Sequence, residues 1–212
     1  MKKIEIKEFG GPEVLEIKNI DIGKPGQHEV LVKNLSIGIN YIDTYHRSGL
    51  YPIPLPSGIG LEACSIIEEV GSEVKLFKVG DRVTRASMPI GTYSEKQIIP
   101  EDKLVKVPDN ISDEVASCIT LKGITAEYLL HRTYQVKKGD KILYHAAAGA
   151  LGQIFCPWAN ALGAEIIGTV GSDEKIEIAK KNGCHHVINY NEKNFVEGNI
   201  SINYLKEILN IS

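Results

Sequence analysis

Residues 145–153 read HAAAGALGQ, the spacing of a loop that holds phosphate. Laid on G-x-G-x-x-G, the last two glycine places fall on Gly149 and Gly152, and the first falls on Ala147. Gly149 lets the backbone approach a pyrophosphate, and Gly152 lets the following helix pack on the preceding strand. The free N–H groups near Ala150 and Leu151 then face the anion. Alanine at 147 needs only an ordinary backbone there. A helix start rich in small residues for packing alone is the alternative. The dinucleotide is favoured by the flanks, a strand before, a helix after, and a second strand ending about twenty residues on.

That second strand ends in GTVGSDEK (168–175). An acid at its tip would bond the ribose 2′-hydroxyl of NAD. The tip here is Gly171 and Ser172, followed by Asp173 and Glu174, with Lys175 one helical turn on. A 2′-phosphate fits this better than a bare hydroxyl, so the coenzyme expected is NADPH in preference to NADH. Asp173, taken as the first helical residue, suits the positive end of the helix dipole. Tyr190, at the end of a third strand, can place its hydroxyl and ring beside the adenosine.

These residues need elements to hold them. Up to about Val107 the chain shows short strands with glycine and proline punctuation: IEIKEF, EVLVKNLSIGI, ACSIIEEVG and SEKQIIP, with a tight turn at Gly80-Asp81. A compact β domain, a partly closed barrel, is expected. Beyond Pro108 the period becomes helical. Ser112 serves as N-cap with Asp113 and Glu114 behind it, and Gly123 breaks that segment before ITAEYLLHRTY resumes. A buried strand follows at 141–145, centred on Ile142, Leu143 and Tyr144, then a helix at 150–162 ended by Gly163. AEIIGTVGS, DEKIEIAKKNG and HHVINY complete a βαβαβ unit, half of a doubly wound fold.

The bulk properties exclude several classes. With 43% hydrophobic and 24% charged residues and no low-complexity tract, the chain of 212 residues is a folded protein of one or two domains. A net charge of −3 without a basic block gives no footprint for nucleic acid, and no stretch is apolar enough to span a membrane. The N-terminus lacks a signal-peptide pattern, so a cytoplasmic location is expected. Cys64, Cys118, Cys156 and Cys184 are widely spaced, which points to buried free thiols instead of a zinc or redox pair. His185 and His186 are adjacent and point apart on a strand, one packed and one solvated.

GGPEVL (10–15), GINYIDTYHRSGLYP (38–52), GDRV (80–83), HAAAGALGQ and GTVGSDEK agree in order and spacing with one family. Together they resemble the quinone oxidoreductases, the zeta-crystallin-like branch of the medium-chain dehydrogenase/reductases. That family carries the loop as A-x-x-G-x-x-G, here Ala146, Gly149 and Gly152, which accounts for the absent first glycine. The resemblance implies an α/β protein, an N-terminal GroES-like β-barrel domain (1–120) followed by a Rossmann NADPH-binding domain (121–212), with the coenzyme in the cleft between them. It also implies that Tyr41, Ile42, Asp43, Thr44 and Tyr45 line the nicotinamide side with Tyr128 near it. Ala150 and Leu151 would hold the pyrophosphate, and Gly171, Ser172, Lys175 and Tyr190 the adenosine phosphate.

The zinc-dependent alcohol dehydrogenases are the nearest competitor. Their Gly-His-Glu motif begins a catalytic zinc site, whereas this chain has Gly60-Leu61-Glu62 and lacks the four-cysteine lobe. Leucine cannot ligate zinc, so a metal-free hydride transfer from NADPH to a quinone or conjugated carbonyl is expected. Asn40, Tyr45 and Tyr51 are the candidates for orienting the acceptor oxygen or delivering a proton. The plainer alternative is that Asn40 bonds loop backbone and the two tyrosines only pack. Because a quinone can take its proton from water, no dedicated acid is required.

The resemblance runs to about Phe195. Past it, EGNISIN is unmatched and one more helix is expected at 202–209, so the Rossmann domain reads as incomplete, its second half missing through truncation. Pro157 lies inside the helix after the phosphate loop and removes a backbone donor. The competing expectation is therefore a catalytically inactive remnant with at most weak nucleotide binding. A homodimer is left open for a complete domain.

Overall fold

The computed structural model describes residues 1–191. The helix expected at 202–209 lies outside the described residues. The chain divides into two units, one ending at Leu121 and the other beginning at Lys122.

In the first unit, β1 (Lys2–Ile6) pairs antiparallel with β2 (Glu16–Asn19) and with β4 (Ser57–Gly58). A five-stranded antiparallel sheet stands beside it: β3 (Glu29–Gly38), β5 (Glu62–Val70), β6 (Arg82–Ala86), β7 (Lys96–Pro100) and β8 (Val105–Lys106), in the order β7-β3-β5-β6-β8. Val30, Val32, Ile67, Val83, Ile99 and Leu104 close its core. Each such side chain stabilises the unit by about 1.5–3 kcal/mol relative to exposure. Gly80 takes a left-handed φ of +88° at the expected turn, and the Asp81 N–H bonds back to Lys78 O. A helix absent from the strand-only expectation, α1 (Tyr41–Ser48), sits between β3 and β4.

α2 (Asp113–Tyr128) opens where expected, with the Val115 N–H donating to Ser112 Oγ at 3.3 Å. It does not break at Gly123. One glycine costs a helix only about 1 kcal/mol relative to alanine, too little to interrupt sixteen residues held by packing. A single π-type turn, Leu129–Thr133, follows.

The second unit is the expected βαβαβ: β9 (Lys141–Tyr144), α3 (Gly152–Ala161), β10 (Glu165–Val170), α4 (Glu174–Lys181) and β11 (His186–Asn189). Its strands are parallel in the order β11-β10-β9. Gly163 and Gly183 both take φ of +89° just beyond α3 and α4, the left-handed exits that glycine favours. Phe155 stacks on Tyr144 with ring centroids 4.4 Å apart, inside a core that includes Leu130, Ile166 and Val170. β9 is less buried than expected, with Leu143 41% exposed, because among the described strands it has a neighbour on one side only. Pro157 is accommodated within α3, which runs on to Ala161.

The cysteines depart from expectation twice. Cys118 is exposed, whereas Cys64, Cys156 and Cys184 are buried. Cys156 and Cys184, distant in sequence, share one core, where the neighbouring Cys184 thiol and burial raise Cys156 well above the ordinary thiol range. Both remain free. His185 accepts the Ile166 N–H on Nδ1, and His186 Nε2 lies 3.1 Å from Glu165 Oε1, so each histidine of the pair is engaged.

Candidate functional site

In the first unit, the candidates collect on α1 and its flanks. Asn40 precedes the helix in extended conformation and donates its N–H to Asp43 Oδ2 at 2.9 Å, while the Asp43 N–H returns to Asn40 O. The Asn40 side-chain amide donates to Glu62 Oε2 at 2.9 Å, and Glu62 Oε1 accepts the Leu121 N–H at 2.7 Å. Glu62 is wholly buried. It occupies the third place of Gly60-Leu61-Glu62, a position that drew attention in the sequence only for the histidine missing beside it. Asn40 is thus held by a buried carboxylate as well as by the backbone at the start of α1.

Asp43 faces inward. It is 4% exposed and its Oδ2 also accepts the Tyr93 hydroxyl at 2.9 Å. Burial raises its pKa above the ordinary carboxylate value, opposed by the hydrogen bonds from Asn40 and Tyr93. Burial first, and then the neighbouring Asp43 charge, raises the Tyr93 phenol. Thr44 directs its hydroxyl to Tyr41 O at 2.7 Å, so Asp43 and Thr44 hold the helix together and Ile42 is half-buried. Tyr41, Tyr45 and Tyr51 form a continuous aromatic surface: Tyr45 lies 5.3 Å from Tyr41, edge-on, and 5.1 Å from Tyr51. Among the described residues the hydroxyls of Tyr45 and Tyr51 have no protein partner, which leaves both able to bond an acceptor oxygen. Tyr93, Glu62 and the buried His46 were missed in the sequence; only the Asn40…Asp43 spacing, a helix-capping signal, pointed toward them.

In the second unit, the candidate phosphate loop depends on the close approach that Gly152 allows. A Cβ on Gly152 would lie 2.4 Å from Ala147 O, so α3 approaches the strand exit only because that residue is glycine. Ala147 itself is fully buried and its Cβ packs against Gly168. The left-handed residue of the loop is its neighbour, Ala146, at φ +54°. Gly149 and Ala150 are exposed, and among the described residues the N–H groups of Ala150 and Leu151 lack a protein acceptor. Two free donors at the start of a helix suit a pyrophosphate.

Beyond β10, the Tyr190 hydroxyl lies against Gly171, where a Cβ would meet it at 2.5 Å. Lys175 is exposed and makes no ion pair among the described residues, as a phosphate ligand would be before binding. Asp173 is the N-cap of α4, not its first residue, and its carboxylate accepts Asn189 Nδ2 at 2.8 Å. Glu174 begins the helix and points to solvent. Tyr128 ends α2, partly exposed, in this second unit. The cradle fits a 2′-phosphorylated dinucleotide by its glycines, free donors and unpaired lysine.

An alcohol dehydrogenase GroES-like domain matches residues 26–109 and a zinc-binding dehydrogenase domain matches residues 150–202. The two domains place the chain in the medium-chain dehydrogenase/reductase superfamily, and quinone oxidoreductases are among the relatives it resembles. It is 51% identical over 194 residues to the quinone oxidoreductase of Pseudomonas aeruginosa, covering 91% of this chain and 60% of that protein. It is 47% identical over 199 residues to a 2-haloacrylate reductase from a Burkholderia species, again with 60% of the relative covered. Among solved structures, Escherichia coli quinone oxidoreductase complexed with NADPH superposes with a TM-score of 0.92 at 48% identity, covering 99% of this chain and 63% of that one. The chain therefore spans about 60% of the length of the curated relatives it matches.

Proposed function

We propose that this chain carries the coenzyme- and acceptor-binding residues of a zinc-independent, NADPH-dependent quinone oxidoreductase. The observation that carries the reading is the end of β10: glycine and serine in place of an acid, an unpaired lysine one turn on, and a tyrosine hydroxyl over Gly171. NADPH, when bound, supplies the hydride. The pyrophosphate is held by the backbone of Gly149, Ala150, Leu151 and Gly152, and the adenosine phosphate by Gly171, Ser172, Lys175 and Tyr190. Tyr45 and Tyr51 present free hydroxyls on an aromatic surface that suits a flat acceptor, while Asn40 is oriented by Glu62. In the balanced reaction a hydride adds to the quinone and a proton completes the hydroquinone; solvent or a tyrosine hydroxyl can provide it.

Zinc has no place in this chemistry because Leu61, where the zinc enzymes carry histidine, has no ligating atom. No described helix is long and apolar enough to cross a membrane, and a small planar quinone or conjugated carbonyl is the substrate class proposed. The test follows NADPH absorbance at 340 nm with 1,4-benzoquinone as acceptor and EDTA present. Coenzyme oxidation dependent on both protein and quinone, lowered at least about tenfold by Tyr45→Phe combined with Tyr51→Phe, is expected. A chain shown folded by circular dichroism that oxidises no NADPH would leave nucleotide binding alone as its activity.

A further inference from the structure

Asp173 stands in the stretch that receives the 2′-phosphate, and a loose carboxylate there would repel it. The structure does not leave it loose. Its Oδ1 accepts Asn189 Nδ2 at 2.8 Å, and Asn189 is the last residue of β11, 8% exposed and in register with Val170 at the end of β10. Asn189 Oδ1 in turn accepts the Asn191 N–H at 3.1 Å, and Asn191 Nδ2 donates to Gly171 O at 2.6 Å. The Tyr190 N–H bonds Val170 O at 3.0 Å. Three consecutive residues, 189–191, therefore grip the turn that leaves β10.

We propose that Asn189 is a specificity-determining residue for the coenzyme: it ties the Asp173 carboxylate to the end of β11, so that its charge is kept from the 2′-phosphate and Lys175 acts on it unopposed. The inference rests on the NADPH reading above. An acid at the strand tip itself is the mark of a site for the unphosphorylated ribose, and Asp173 stands three residues past the end of β10, at the N-cap of α4. Asn189 thus lets the chain carry Asp173 at the start of α4, where it suits the helix dipole, without losing the phosphorylated coenzyme.

The test is a fluorescence titration of NADPH and of NADH into the full chain, its Asn189→Ala, Asn189→Ser and Asp173→Asn variants, and the Asn189→Ala/Asp173→Asn double variant. Circular dichroism and a melting curve confirm that each is folded. Either Asn189 variant should weaken NADPH binding on the order of threefold to tenfold, the range a freed charge a few ångströms from a phosphate produces near water. NADH affinity should stay within about twofold, because it carries no 2′-phosphate for the freed carboxylate to repel. Asp173→Asn alone should change little, and the double variant should recover the wild-type ratio of the two coenzymes. The inference is overturned if the Asn189 variants keep that ratio, if they weaken both coenzymes equally, or if Asp173→Asn does not restore it. A wild-type chain that prefers NADPH while any of these occurs leaves the coenzyme reading standing; a folded wild-type chain that binds neither coenzyme removes both.

Discussion

Asp43 shows how far in sequence the partners of one buried side chain can lie. The resemblance sets it along the nicotinamide side, but its carboxylate is turned inward to Asn40 N–H and Tyr93 Oη. What fixes that direction is three-dimensional: Tyr93 lies fifty residues away and no local pattern announces it. The buried carboxylate has a pKa above its ordinary 3.8, so the folded state binds its proton more tightly than the unfolded state does. Asp43 therefore loses stability for the protein as pH rises from about 4 through the raised folded-state value, and the loss is complete above it. Asp43→Asn does not titrate. Urea unfolding across that window should show the variant gaining on wild type as pH rises, then running parallel to it; a pH-independent difference would contradict the inward, desolvated placement.

At the scale of elements, close backbone approach does much of the positioning. Gly38 ends β3 just before the site residues, and a Cβ there would lie 1.9 Å from the Ser117 carbonyl of α2. Because the obstacle is backbone, no side chain can swing aside. Gly38→Ala should destabilise the first unit by about 3 kcal/mol or more, read as a fall in the urea midpoint, since overpacking against a fixed helix costs at this upper end. An unchanged midpoint would mean that α2 is free to shift. Gly123, in the same helix, makes the opposite case: a Cβ there meets nothing within 4 Å, and the helix passes straight through it. The sequence shows both as glycine. Only packing separates the one that is required from the one that is merely tolerated. The α4 start has the same lesson, since DEKIEIAKKNG marks a helix well but the Asn189 tether on Asp173 is a long-range contact.

For the molecule as a whole, the βαβαβ half was legible because its signals are local: apolar runs of strand length, helical spacing, and glycines at 163 and 183 that indeed take left-handed conformations. The β unit was legible as strands, but α1 was hidden within it. Eight residues carry only two turns of periodicity, and the helix is declared by its cap rather than its face. The close packing at Gly152 was legible from the glycine spacing, whereas the left-handed Ala146 and the depth of Ala147 needed coordinates. On the proposed reading, one cradle, running from Gly149 to Tyr190, selects the phosphorylated coenzyme. Its most direct measurement is isothermal titration of NADPH and NADH into the chain and into Lys175→Met. The wild type should bind NADPH more tightly than NADH, with the difference reduced on the order of tenfold in Lys175→Met through weaker NADPH binding alone, the loss of one charge-assisted contact. Equal affinities for the two coenzymes in the wild type, or no heat from either with a folded chain, would contradict it.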